Sequence, residues 1–222
     1  MCLLKGDSIM GIFKKLCMTS TLGVMLAVPT YATVVTGSQS DVNMELKYPL
    51  VYTNNMFAQK AINTDIANYV LYAKSVYYDQ HAYQVKQNYK VTYEDAQVVS
   101  ILLTTYHYHA GSAHGMYNTK GLVYNKITGQ RIPLYNYVKI ANPQQIERGI
   151  NSGILRFYSE GHKKADLLPN WNVEYVSDNY YLKGKGAIGL VYQPYELGPF
   201  SYGNTFVEFS PKAIEYFNRM NG

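Results

Sequence analysis

The chain has 222 residues, 47% of them hydrophobic and 16% charged, enough to bury one core or two small adjoining ones and too apolar for a disordered chain. Its formal net charge of +5 is spread thinly, with "HKK" at 162–164 as the only compact cationic run, so nucleic acid is not an indicated partner. Tyrosine is the outlier, 24 against 7 Phe and 1 Trp; it suits half-buried strands, where the ring packs and the hydroxyl stays wet, and surfaces that bind proteins or sugars.

Residues 1–32 read as an export signal. Lys14 and Lys15 precede the apolar stretch Leu16 to Val28, and "PTYA" ends in the small residue Ala32. The apolar stretch is about 13 residues, short of the roughly 20 a spanning helix needs, so cleavage near Ala32 and no permanent membrane span are expected. Cys2 and Cys17 are the only cysteines and precede that cut. The mature chain is therefore expected to lack disulfides, thiol nucleophiles and zinc–thiolate sites. It would retain 17 basic and 14 acidic residues.

After the cut, "TVVTGSQSDVNM" reads as a polar lead-in and "ELKYPLVY" (45–52) as a strand. A helix of about 25 residues follows, capped by Thr53 or Asn54, its apolar stripe running through Phe57, Ala61, Ile62, Ile66, Tyr69, Val70, Ala73 and Tyr77. Residues 82–109 read as two or three strands, broken at 88–90 or 94–96. "GLVYNKITGQRIPLYNYV" reads as a hairpin with Gly129 at positive φ. "NPQQIERGINSGILRFYS" reads as a second helix, with Asn142 as cap, Pro143 at the first position and Gln145 completing a capping box. Its buried line is Ile146, Ile150, Ile154 and Phe157. Two or more strands over 171–195 follow, with "GKGAIG" as a turn. "TFVEFS" is the last strand, alternating Phe206 and Glu208 against Val207 and Phe209. Ser210 and Pro211 open a short helix holding Ile214 and Phe217. The predicted class is α+β, with mainly antiparallel sheets packed against one long, one medium and one short C-terminal helix. A soft boundary at Gly111 divides a 40–110 subdomain from a 111–222 subdomain.

"YHYHAGSAHG" (106–115) holds three of the five histidines: His107, His109 and His114. Two residues apart on a strand, His107 and His109 share a face, and His114 returning from the bend would complete a three-histidine metal site of the kind catalytic zinc uses. The nearest carboxylates, Glu94 and Asp95, lie more than ten residues upstream. Packed, hydrogen-bonded strand histidines and a bend histidine explain the same pattern without a metal. On that reading Gly111 and Gly115 bracket a tight bend, Ser112 and Ala113 keep it slim, and His114 pins it. The stretch 195–203, "YELGPFSYG", has the same character. Gly198 and Pro199 shape it, Tyr195, Phe200 and Tyr202 offer rings, and Glu196 a charge. A stiff aromatic loop loses little entropy on binding; alternatively the rings plug a sheet edge. No serine-hydrolase elbow or phosphate loop is present, and glycosidase carboxylates can be drawn from Glu94, Asp95, Asp178 and Glu196 only as from any chain of this length.

The segments "YHYHAGSAHGMYNTKGLVYNKITGQRIPL" and "IGLVYQPYELGPFSYGNTFVEFSPKAI" resemble the extracytoplasmic domain shared by RsiV-type anti-sigma factors and the non-catalytic region of PdaC-type peptidoglycan deacetylases. The resemblance rests on the bend Gly111–Gly115, the turn Lys126–Gly129 and the loop Tyr195–Pro199, and covers roughly residues 40–220. It implies binding rather than catalysis, with no cofactor. The implied ligand is a protein such as lysozyme, or peptidoglycan, met outside the cytoplasm. An acidic patch near Glu196 and Glu94 would favour basic lysozyme. With an export signal ahead of the domain and Gly222 closing it, neither a sigma-binding segment nor a deacetylase domain is expected. The competing expectation is a metal-dependent or glycan-cleaving enzyme built on His107, His109 and His114.

Overall fold

Backbone pairing arranges the described residues of the computed structural model, 33–222, as two five-stranded sheets. The expected export signal, residues 1–32, and both cysteines lie outside the described residues. In the first sheet, β1 (Thr33–Asp41), β2 (Met44–Tyr52), β3 (Gln84–Glu94), β4 (Val98–Tyr108) and β5 (Met116–Asn125) lie side by side in chain order. Helix α1 (Met56–Tyr78) joins β2 to β3, the one parallel pair, through the crossover that a parallel connection requires. In the second sheet, β6 (Arg156–Ser159), β7 (Lys163–Lys164), β8 (Tyr180–Gly184), β9 (Ala187–Tyr192) and β10 (Thr205–Phe209) pair antiparallel in the order β7-β6-β10-β9-β8. Helices α2 (Pro143–Asn151) and α3 (Pro211–Asn221) flank it in sequence. The expected α+β class, with its long, medium and short helices, is what forms.

Alternation decides which residues meet. Odd-numbered Val99, Ile101 and Leu103 of β4 join Leu122 of β5 and Ile62 and Ile66 of α1 in one core. Each fully buried aliphatic side chain there contributes roughly 1.5–3 kcal/mol. On the other side of β4, Leu102 packs with Tyr181, Val191 and Phe206 of the second sheet. The strand β8 crosses this face so closely that a Cβ on Gly121 would fall within 3.0 Å of the Tyr180 backbone. Leu182 N–H also donates to Ser100 Oγ at 2.9 Å. The remaining core gathers Leu190, Val207 and Phe209 with Ile146 of α2 and Phe217 of α3.

Several expectations are corrected. The lead-in is strand β1, paired residue by residue with β2 from Thr33↔Tyr52 to Asp41↔Met44; an edge strand needs backbone pairing more than apolar side chains. The cap of α1 is Asn55, whose side chain accepts from Phe57 N and Ala58 N. The expected stripe holds at Ile62, Ile66, Val70 and Ala73, but Ala58 and Val76 complete it while Phe57 and Ala61 are exposed. Helix α2 stops at Asn151, because Gly153 turns at φ +75; Phe157 is buried on β6 instead, and Ile154 is exposed. Gln145 caps as expected, although its Oε1 accepts from Ala141 N rather than from Asn142. The 126–129 turn forms with Gly129 at φ +78, but its second arm shrinks to one bridge, Tyr124↔Arg131, before Pro133. All of β10 is buried, since the strand is central and covered on both faces. The strand following Gly111, β5, still pairs with β4, so the second sheet begins later in the chain.

Candidate functional site

The bend 109–115 connects β4 to β5 beyond their last pair, His107↔Met116. Gly111 sits at φ +88, and Ser112 N–H closes the turn onto His109 O at 3.0 Å. Gly115 is glycine for a contact reason: the Tyr106 ring lies where its Cβ would be. Tyr106 is an even-numbered residue of β4, so strand alternation aims it toward the second sheet, and the bend follows it. His114 is carried to the same side.

There His114 meets the 195–203 loop. Its ring stacks on Phe200 with centroids 3.7 Å apart and planes 18° apart. Nδ1 lies 3.1 Å from Gly115 O; a carbonyl only accepts, so Nδ1 carries the hydrogen. In the neutral ring Nε2 is then the acceptor for the Tyr195 hydroxyl, 3.0 Å away. Tyr195 also faces Phe200 at 5.7 Å. The two stretches singled out in the sequence, 81 residues apart at this contact, thus form one surface of three stacked or hydrogen-bonded rings.

The loop is held stiffly beneath its rings. Tyr195 has φ +73, a left-handed conformation that costs a side-chain-bearing residue roughly 1–2 kcal/mol. Leu197, fully buried, and the Glu196 carboxylate, which accepts from Gln193 N at 2.6 Å, keep it there. Gln193 in turn bridges Thr119 of β5 with both ends of its amide, each at 2.8 Å. The Tyr202 ring covers Gly198, and at Gly203, φ +59, the Glu160 side chain fills the place of a Cβ. Burial, followed by the hydrogen bond to Glu196, pushes the Tyr175 phenol up, which marks Glu196 as an inward anchor. Tyr195 remains half exposed at the rim, 49%.

The other sequence expectations fare differently. His107 and His109 do share a face, their rings 5.7 Å apart and edge to face. His114 does not join them: its Nδ1 is engaged by Gly115 O within the bend and its Nε2 by Tyr195 of the second sheet, and β4 alternation puts His107 on the α1 side. Among the described residues no three His, Cys, Asp or Glu side chains are grouped to hold a metal ion, which removes the support for the three-histidine enzyme. The Glu196–Glu94 patch does not form either. Glu94 pairs with Val99 at the opposite end of β3 and β4 and holds Lys126 at 3.2 Å, roughly 30 Å from the bend at the rise of a strand. Sequence reading missed Tyr106, Gln193 and Glu160. Strand parity alone could have found Tyr106; Gln193 and Glu160 carry no local signal.

No protein-family model matches this chain, and no curated protein matches it. Solved structures do. A DUF3298 family protein from Pseudomonas aeruginosa PAO1 matches with a TM-score of 0.55 at 14% identity, over 83% of this chain and 92% of its own. A member of the same family from Bacteroides fragilis matches with a TM-score of 0.50, also at 14% identity, over 86% and 94%. At that identity the likeness is one of fold. It does not single out the RsiV-type or PdaC-type proteins. Among the described residues no helix is long and apolar enough to cross a membrane.

Proposed function

We propose that this protein is an exported, non-catalytic recognition module of the cell envelope, secreted or periplasmic, that binds a protein such as lysozyme, or peptidoglycan, through the joined 111–115 and 195–202 surface. One observation carries the reading: two glycine-bounded loops from different sheets meet through His114, which stacks on Phe200 and bonds to Tyr195. Rings fixed before a ligand arrives lose little freedom on binding, and tyrosine and phenylalanine supply contact area with few rotatable bonds. The strained backbone at Tyr195 supports the same reading, since strain of this sort persists where surrounding structure over-determines it for a purpose. His114 serves as a pin, with its Nε2 occupied by Tyr195 and its Nδ1 by a carbonyl.

The test is retention of the purified protein by immobilised lysozyme and by insoluble peptidoglycan. Tyr195→Ala combined with Phe200→Ala should weaken the productive interaction at least tenfold, the loss of roughly 1.4 kcal/mol that two central aromatic contacts readily carry. Retention by neither ligand, or retention indifferent to the double substitution, would defeat the proposal.

A further inference from the structure

Where the β8–β9 turn and α3 meet the connection between β3 and β4, a cleft of about 490 Å³ opens. Val98, Leu182, Ile188 and Ile214 give it an apolar lining that continues into the core around the second sheet. Tyr93, Asp95, Tyr137 and Lys185 bring the polar side chains. The cleft lies at the opposite end of β4 from the joined loops.

Lys185 occupies a costly position. Gly184 pairs with Ala187, which leaves Lys185 and Gly186 as a two-residue connection, with φ +51 and +72. Two positive φ angles make this the hairpin turn that favours Asn-Gly or Asp-Gly, and a lysine in its first central place is strained. No local contact offsets that strain, because Lys185 makes no hydrogen bond or ion pair among the described residues. Strain held in this way points to a use for the side chain. Of the other polar groups, Asp95 is already engaged. Its Oδ1 accepts from Gln97 N at 2.7 Å and Val98 N at 2.8 Å, and its Oδ2 accepts from the Tyr93 hydroxyl at 2.6 Å. The Lys126 ammonium stands behind it, donating to the Asp95 carbonyl and to Glu94. The Tyr137 hydroxyl makes no hydrogen bond among the described residues and is not sealed from solvent. The free polar groups of the cleft are therefore two donors, one of them charged.

We infer that this cleft binds an aliphatic carboxylate of medium chain length, its head group held by Lys185 and the Tyr137 hydroxyl and its chain laid along Leu182, Ile188 and Ile214. A carboxylate accepts hydrogen bonds without donating any, which matches the two free donors, and its charge balances the unpaired ammonium. A sugar would bring hydroxyl donors that find no free acceptor among the side chains there. A single small ligand with an apolar body and a few polar contacts suits a cleft of this volume and lining. The inference is independent of the reading given for the joined loops.

Calorimetric titration and amide chemical-shift mapping of the purified protein with hexanoate, octanoate, octanol and octyltrimethylammonium test this. Octanoate should bind tighter than hexanoate by roughly fourfold for each added methylene, with shifts centred on the β8–β9 turn and α3. Octanol should bind roughly tenfold more weakly than octanoate, as expected for one lost charge-assisted contact, and octyltrimethylammonium more weakly still. Lys185→Asn, which places a residue the turn favours, should weaken octanoate roughly tenfold and leave octanol unchanged, whereas Lys185→Arg should keep octanoate binding. Tyr137→Phe should weaken octanoate several-fold. No saturable binding at millimolar octanoate, equal binding of octanol, tighter binding of octyltrimethylammonium, or indifference of octanoate to Lys185→Asn would each overturn the assignment.

Discussion

The contact that joins the two loops can be measured as a coupling energy. His114→Ala removes a stacked ring pair, worth about 0.5–1.5 kcal/mol beyond its buried area, and the acceptor for the Tyr195 hydroxyl, worth about 0.5–1.5 kcal/mol. Because His114 is only partly buried, the total loss should fall in the lower half of that combined range, at roughly 1–2 kcal/mol. Phe200→Ala removes the same stack from the other side. If the rings touch as described, the two losses overlap, and a double-mutant cycle in urea should return a coupling of about 1 kcal/mol with unchanged m-values. His107→Ala with Phe200→Ala is the control, since those rings lie on opposite faces of the first sheet; that pair should be additive. Additivity of His114→Ala with Phe200→Ala, within about 0.3 kcal/mol, would refute the joined surface and remove the ground for the proposed function.

Three further outcomes follow from the geometry. At position 195 the backbone is left-handed, so Tyr195→Gly should be more stable to urea than Tyr195→Ala by about 1 kcal/mol, reversing the usual ranking of glycine and alanine. Gly121→Ala drives a methyl into the Tyr180 backbone; neither strand can yield without separating the sheets, so thermal melting should show a loss of about 3 kcal/mol or more, whereas Gly111→Ala, with nothing near the new atom, should cost only backbone strain. Burial, with the neighbouring His109 charge adding, holds the His107 imidazole below its usual 6.5. As pH falls past about 6.5 the unfolded chain takes up that proton first, so stability should decline below that pH until the folded protein also protonates. Proton NMR should show His107 titrating below free imidazole, and His107→Gln should flatten this part of the pH–stability curve.

The long helix and the strand-rich segments were legible because their signals are local. Asn142, Pro143 and Ser210 occupy their capping positions as their side-chain chemistry dictates, and Gly129 takes the positive φ its turn requires. What failed was information held by neighbours. Val34 and Val35 sit among polar residues, and only pairing with β2 makes that stretch a strand. Phe57 looked like the head of an apolar stripe, but the buried line through Ile62, Ile66, Val70 and Ala73 runs back to Ala58, one residue round the helix, and leaves Phe57 84% exposed. Of the candidate site, the two loops were readable from glycine spacing and ring content. Their contact was not, because it runs between sheets through His114 and through Gln193, which grips Thr119. Likewise Gln87 reads as an ordinary polar residue on a strand, yet it is fully buried within β3.

The three histidines show why spacing alone misled. A strand sends consecutive side chains to opposite faces, so β4 divides its last residues between two surfaces. Thr105 and His107 go toward the α1 side; Thr104 and Tyr106 go toward the second sheet and the loops. Thr104 meets Thr119 Oγ1 at 2.8 Å, and the same hydroxyl accepts from Asn204 at 3.0 Å, which ties the base of the 195–203 loop to this strand. Histidines at 107 and 114 could converge only by crossing the sheet between them. One register, set by ten consecutive β4–β5 pairs from Val98↔Asn125 to His107↔Met116, therefore fixes both surfaces at once. A slip of a single residue would exchange them, sending Tyr106 under the helix and Thr105 into the loops. The buried aliphatic residues 99, 101 and 103 forbid that slip, and so the core that stabilises the sheet also determines which side chains each surface presents.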